Sequence, residues 1–166
     1  IGLAIKYLDT QNKQYFIGLI LVMILATLNR ESSALSLSFI ATIIISKLGI
    51  SKKSLFPVAI LTSVFIAVYF VMRLYYGSFS TNDGNLLIVN FTQVRNYIGM
   101  LFWLVLFLLT LALCANKRNI KLIILFHVFA IPYIIMCFYT GILYETRLYI
   151  PIFISCLILS KLNFNQ

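Results

Sequence analysis

Leu55-Phe-Pro-Val-Ala-Ile-Leu-Thr-Ser-Val-Phe-Ile-Ala-Val-Tyr-Phe-Val-Met72 decides the fold class: it runs for eighteen residues without a charged side chain. About 17–25 apolar residues carry a helix across a hydrocarbon core. Spanning β-strands are shorter, about 9–11 residues, and alternate apolar with polar positions. Leu55–Met72 is continuous, so it predicts a helix that crosses a membrane. Tyr97–Ala115 and Leu122–Tyr139 read the same way. Three shorter apolar runs, Tyr15–Leu28, Ala34–Ser46 and Leu148–Leu159, hold 14, 13 and 12 residues. Together the runs predict an all-α, polytopic transmembrane helix bundle, a single helical region over 1–166. About six spans are expected, near 15–28, 34–50, 55–73, 97–115, 120–140 and 147–160.

Composition agrees with this class. The 166 residues are 62% hydrophobic and 10% charged. A soluble domain is about 45–50% apolar and about 25% charged. So little charge cannot cover a soluble surface, and disorder requires low hydrophobicity. The net charge of +9 is better explained by the positive-inside rule than by nucleic acid, which is not expected as a partner. Cys114, Cys137 and Cys156 lie in apolar runs without metal-ligand spacing, so they are expected to pack rather than pair. No signal-peptide pattern is visible. The chain begins at Ile1 in what reads as the end of an apolar segment, which suggests a piece of a longer or processed protein.

Six crossings sort the basic residues onto two sides. One side holds Lys6, Lys13, Lys47, Lys52, Lys53, Lys117, Arg118, Lys121 and Lys161; the other holds Arg30, Arg73, Arg95 and Arg147. The first is therefore expected to be cytoplasmic, with both ends of the chain on it. The basic residues of the outer side are all arginine, and Glu31, Asp83 and Glu145 join them. Arginine presents a planar fork suited to phosphate or carboxylate. Tyr75, Tyr76, Tyr97, Tyr139, Tyr144 and Tyr149 fall near outer helix ends, as an interfacial belt would.

Two charged clusters interrupt short runs. Asn29-Arg30-Glu31-Ser32-Ser33 separates the first two runs, and Glu145-Thr146-Arg147 precedes the last. Runs this short place both clusters at or below the headgroups, where ionisable groups face the bundle interior or a wet cavity. Ser32 or Ser33 suits an N-cap, as does Thr146, and Pro151 suits an early helical turn. Cross-pairing of Arg30 with Glu145 and of Glu31 with Arg147 is expected. The clusters read either as an ion-pair network pinning two hairpins or as an anion site. Arg73 and Arg95 bracket the long 75–96 connection and either anchor it or add to that site. Leu86–Phe91 within it is apolar enough to lie in the interface. Glu31 and Asp83 are the candidate catalytic carboxylates, although Asn82-Asp-Gly-Asn85 is explained by turn chemistry alone. His127 lies mid-span before Pro132 and reads as a proton relay or as a buried residue bonded to a neighbouring helix or to carbonyls freed near Pro132. Asn90-Phe-Thr92 matches a glycosylation sequon. No phosphate loop, zinc motif or nucleophile elbow is present, so no metal and no cofactor are expected.

Two stretches carry a resemblance. Ala26-Thr-Leu-Asn-Arg-Glu-Ser-Ser-Ala34 resembles the basic hairpin turn of polytopic sugar-transferring membrane proteins. Glu145-Thr-Arg147-Leu-Tyr149-Ile-Pro151 resembles the Glu-x-Arg-[Phe/Tyr]-x-x-Pro pattern of the C-type superfamily of integral-membrane, polyprenyl-phosphate-sugar-dependent glycosyltransferases, with Leu148 as an extra residue. The resemblance implies transfer of a sugar from a lipid carrier on the extracytoplasmic side, in envelope polysaccharide or glycoconjugate synthesis, in a bacterial plasma membrane. It implies that Glu145 and Arg147 meet the carrier phosphate or shape the site, and that the catalytic carboxylate lies in a first outer loop this chain lacks. It does not promote Glu31 or Asp83. Arg30, Arg73 and Arg95 join Arg147 as candidate phosphate ligands by position alone. Other classes stay open: a polymerase or ligase of lipid-linked glycans, a transporter or flippase, or a structural membrane subunit.

Overall fold

The computed structural model describes residues 2–29, 32–77 and 86–162, and every element among them is helical. The order is α1 (Gly2–Thr10), α2 (Lys13–Asn29), α3 (Ser33–Leu48), α4 (Lys52–Tyr76), α5 (Leu87–Thr92), α6 (Val94–Ala112), α7 (Lys117–Thr140), a 3-10 turn (Thr146–Leu148) and α8 (Ile150–Lys161). Helices α4, α6 and α7, at 25, 19 and 24 residues, are long and apolar enough to cross a membrane. The protein is thus an all-α integral membrane protein. Helices α2, α3 and α8 are apolar but shorter, at 17, 16 and 12 residues, so three crossings rest on length and composition.

Helix ends differ from the expected ones for local reasons. The second run stops at Leu48, not 50, because Gly49 leaves the helix at φ +68°. The last helix begins at Ile150 rather than 147, after the 3-10 turn, and Pro151 sits in its first turn, where a missing N–H loses no bond. Helix α4 runs three residues further at each end than expected, since backbone bonding continues beyond the apolar stretch.

The chain forms two compact units, Ile1–Phe79 and Ser80–Gln166. In the first, α1 packs on α2 and α3, and α4 packs on both α2 and α3. Helix α3 is its centre: Phe39, Ile40, Ala41, Thr42, Ile43, Ile44 and Ile45 are all buried, so the helix is covered on every face. Its hydroxyls bond within the helix, Ser38 to Ala34 O (3.0 Å) and Thr42 to Ser38 O (2.8 Å). Buried hydroxyls need such partners where water is excluded. Helix α4 instead buries only Ser54, Pro57 and Leu61, and its apolar remainder suits contact with hydrocarbon.

In the second unit, α8 packs on α6 and α7, and α5 packs on α6 and α7. The buried face of α7 is Leu122, Phe126, Ala130, Tyr133 and Cys137, one helical stripe. Helix α6 turns inward with Asn96, Gly99 and Thr110. Small and polar residues on that face let backbones approach closely. Cys114, Cys137 and Cys156 are free thiols.

The C-terminus of α8 is capped in trans. The Ser160 carbonyl accepts from buried Asn119 Nδ2 at 2.7 Å and from the Ala115 N–H at 3.3 Å. Asn119→Ala is expected to destabilise by about 1–2 kcal/mol. The cost stays moderate because Ala115 still satisfies the carbonyl. Unfolding of the two proteins in detergent checks it, and an unchanged transition would mean that Asn119 is dispensable.

Candidate functional site

A helix end leaves four carbonyls without helical partners. At the end of α7 two of them, those of Phe138 and Tyr139, are met by α5 and its N-cap Leu86. Leu86 N–H donates to Tyr139 O at 2.9 Å. Asn90, fully buried, donates from Nδ2 to Phe138 O (2.9 Å) and Gly141 O (2.7 Å), and its Oδ1 accepts from Leu143 N–H (3.3 Å). The glycosylation reading of Asn90 is thereby overturned, because its amide is buried and fully engaged. The Leu86–Phe91 segment expected to lie in the interface is part of a capping helix.

The chain from 141 to 149 is held from three directions. Asn90 grips Leu143 through its N–H, and Tyr149 Oη donates to Leu143 O at 2.7 Å. Gly99 on α6 lies so close that a Cβ there would meet the Leu143 carbonyl carbon at 2.5 Å and Tyr144 Cα at 2.9 Å. Tyr149 is 7% exposed, so it departs from the interfacial belt expected of it. It serves as an internal strut, with Phe102 against its ring.

This turn gathers three of the charged residues singled out from the sequence. Arg95 places its guanidinium 4.0 Å from the centre of the Tyr144 ring. Arg147 Nε donates to Glu145 Oε2 at 2.5 Å. Two arginines and one carboxylate leave this rim net positive. The side chain of Arg147 is 76% exposed, and an exposed ion pair contributes only about 0–1 kcal/mol. Asn90, Gly99 and Tyr149 therefore determine the turn, and the charged pair is a passenger on it.

Below the turn lies an apolar cavity of about 570 Å³. Its walls include Tyr97, Met100 and Leu101 from α6, Ile134 and Phe138 from α7, and Leu148 from the turn. Arg147 precedes Leu148, and Arg95 stands two residues before Tyr97. Both arginines are thus close along the chain to residues that line an apolar hollow between α6 and α7, two helices long enough to span, but neither is itself part of its wall.

Other expectations fare variously. Arg30, Glu31 and Asp83 lie outside the described residues, and so do the proposed Arg30–Glu145 and Glu31–Arg147 pairs; the described partner of Glu145 is Arg147. Arg73 belongs to the first unit, where Nε donates to Tyr69 Oη at 3.1 Å and the guanidinium lies 5.2 Å from that ring. Ser32 occupies the N-cap of α3 without a side-chain bond, and Ser33 donates to Thr27 Oγ1 at 3.4 Å. Thr146 opens the 3-10 turn and does not cap α8, whose N-cap is Tyr149. His127 bonds its own helix, not a neighbour or a carbonyl freed by Pro132. Nδ1 meets Ile123 O at 2.8 Å, and since a carbonyl only accepts, Nδ1 carries the proton. Nε2 is buried without a partner among the described residues, beside the Phe107 and Trp103 rings. Among the described residues no three of His, Cys, Asp and Glu gather as metal ligands would.

Sequence reasoning gave Asn90 only a sequon role and missed Gly99 and Asn119. Each carried a signal, a polar amide or a glycine set in an apolar helix, which needs a reason to be there. No family model matches the chain, and no curated protein or solved structure matches it.

Proposed function

We propose that the chain is part of a membrane glycosyltransferase that takes a sugar from a polyprenyl-phosphate carrier, on the extracytoplasmic side of a bacterial plasma membrane. The observation that carries this reading is the apolar cavity of about 570 Å³ between α6 and α7, whose wall residues Tyr97 and Leu148 stand within two positions of Arg95 and Arg147 in the chain. The first isoprenes of the carrier fill the hollow. Its phosphate meets the guanidinium groups, with Arg147 reaching from Glu145 to the phosphate oxygens. The guanidinium groups stabilise the charge that develops on the leaving phosphate as the glycosidic bond breaks. Glu145 positions Arg147. The catalytic base is not assigned among the described residues. The lysine bias supports this sidedness through the positive-inside rule if all six apolar helices cross, which would leave the turn on the outer side.

Native mass spectrometry of the protein in mild detergent tests the reading. A polyprenyl phosphate is expected to co-purify with wild type and to fall by about tenfold in Arg147→Ala, the equivalent of one charge-assisted bond. Equal retention by wild type, Arg147→Ala and Arg95→Ala would remove the carrier from this site. Transfer of labelled sugar from the bound lipid distinguishes an enzyme from a flippase, which would move the lipid without breaking its glycosidic bond.

A further inference from the structure

The first unit holds a second cavity, of about 670 Å³, with a different chemistry. It opens where the end of α1, the end of α3 and the start of α4 meet. Lys52, Lys53 and Gln11 supply its polar lining, and Tyr7, Phe56 and Pro57 its apolar lining. Topogenic lysines are expected near helix ends, but that accounts for neither the hollow nor its aromatic walls.

Nearby Lys47 is paired with Asp9. Among the described residues no carboxylate pairs with Lys52 or Lys53. The turn that carries them is rigid. Ser54, fully buried, donates to Gly49 O at 2.5 Å and accepts from Ser51 N–H at 3.0 Å. Both lysines lie in the first turn of α4, where backbone N–H groups add partial positive charge.

The apolar half decides between occupants. Phe56, which lines the cavity with the lysines, is 68% exposed, and Ile50, two residues before Lys52 in the chain, is 84% exposed. A free phosphate would neutralise the lysines and leave these side chains uncovered. A phospholipid covers them with its acyl chain while its phosphate meets the ammonium groups. Basic pockets between spanning helices hold lipid headgroups in this way. We propose that this cavity binds the phosphate of an anionic phospholipid, with Lys52 and Lys53 on the headgroup and Phe56 and Pro57 along the chain. The lysine bias places it in the cytoplasmic leaflet. The site is independent of the carrier site between α6 and α7.

The test uses the whole chain in nanodiscs of phosphatidylcholine doped with phosphatidylglycerol, released and weighed by native mass spectrometry. Wild type is expected to retain phosphatidylglycerol over phosphatidylcholine. The Lys52→Gln/Lys53→Gln pair is expected to lose about thirtyfold of that preference, two lysines' worth of attraction to an anionic headgroup. Lys117→Gln/Lys121→Gln removes equal charge elsewhere and is expected to change nothing. Excess inorganic phosphate is expected not to displace the lipid. Phe56→Ala leaves the charges in place and alters no buried side chain, so it remains informative if the lysine pair fails to fold; a severalfold loss is expected. Equal retention of the two lipids, equal loss in both lysine pairs, displacement by phosphate, or no effect of Phe56→Ala would each overturn the assignment.

Discussion

Gly99→Ala is expected to destabilise the second unit by about 3 kcal/mol, the upper end for overpacking, because the added methyl meets backbone. Its Cβ would fall within 2.5 Å of the Leu143 carbonyl carbon and 2.9 Å of Tyr144 Cα. A flexible side chain could move aside, but this carbonyl is held by Tyr149 Oη and the same residue's N–H by Asn90 Oδ1. Relief requires α6 and the 141–149 turn to separate, which releases those bonds as well. Gly18→Ala is the control. Its Cβ would touch only Leu3 methyl groups at 3.5 Å, and alanine is favoured over glycine within a helix by about 1 kcal/mol. It is therefore expected to be neutral or stabilising. Unfolding transitions of the two variants in the same detergent check the contrast. Equal behaviour would mean that α6 and the turn are not in backbone contact.

Asn90→Ala is expected to cost about 3 kcal/mol. The substitution strands the Phe138 and Gly141 carbonyls and the Leu143 N–H, and each orphaned buried group costs about 1–3 kcal/mol. Partial relaxation keeps the total below their sum. Asn90→Asp keeps the acceptor for Leu143 but places a carboxylate against two carbonyls, so it is expected to be no better than alanine. Combined with Tyr149→Phe, which removes the other bond to Leu143, the effects should not add, since both side chains hold one residue. A double-mutant cycle in unfolding free energy reads this coupling, and strict additivity would contradict a shared support.

The spanning helices were legible because a long apolar run needs no knowledge of its neighbours. Leu55–Met72 reads as helix from length and continuity alone, and α4 contains it whole. Glu145 and Arg147 stood out as well, because they precede an apolar helix. The expected long-range pairs were argued from Arg30 and Glu31, which are adjacent and so do not face each other on a helix. The local pair was not foreseen: the 3-10 turn that begins at Thr146 lets Arg147 fold back on Glu145. Asn90 was hidden for another reason. Its role follows from the carbonyls at the end of α7, some fifty positions along the chain, and only the three-dimensional structure brings them together. Gly99 gave the clearest overlooked signal. A lone glycine inside a spanning helix sacrifices helix stability, and close backbone approach compensates for it.

The physical division of labour follows. Neutral groups, Asn90, Gly99 and Tyr149, set the shape of the 141–149 turn. Arg95 and Arg147 contribute little to stability from their exposed positions and remain available to an anion. Arg147→Ala should consequently leave the unfolding transition within about 0.5 kcal/mol of wild type, as a surface substitution does, while it weakens carrier binding. A stability loss as large as that of Asn90→Ala would instead assign Arg147 to the scaffold.

Photo-crosslinking with a polyprenyl phosphate that carries a diazirine in its first isoprenes tests most directly where the carrier lies. Labelling is expected on the cavity walls, at Met100 and Leu101 of α6 and Ile134 and Phe138 of α7, and is expected to fall in Arg147→Ala. Labelling confined to other helices, or spread evenly over lipid-facing residues and unchanged by Arg147→Ala, would contradict a carrier site between α6 and α7.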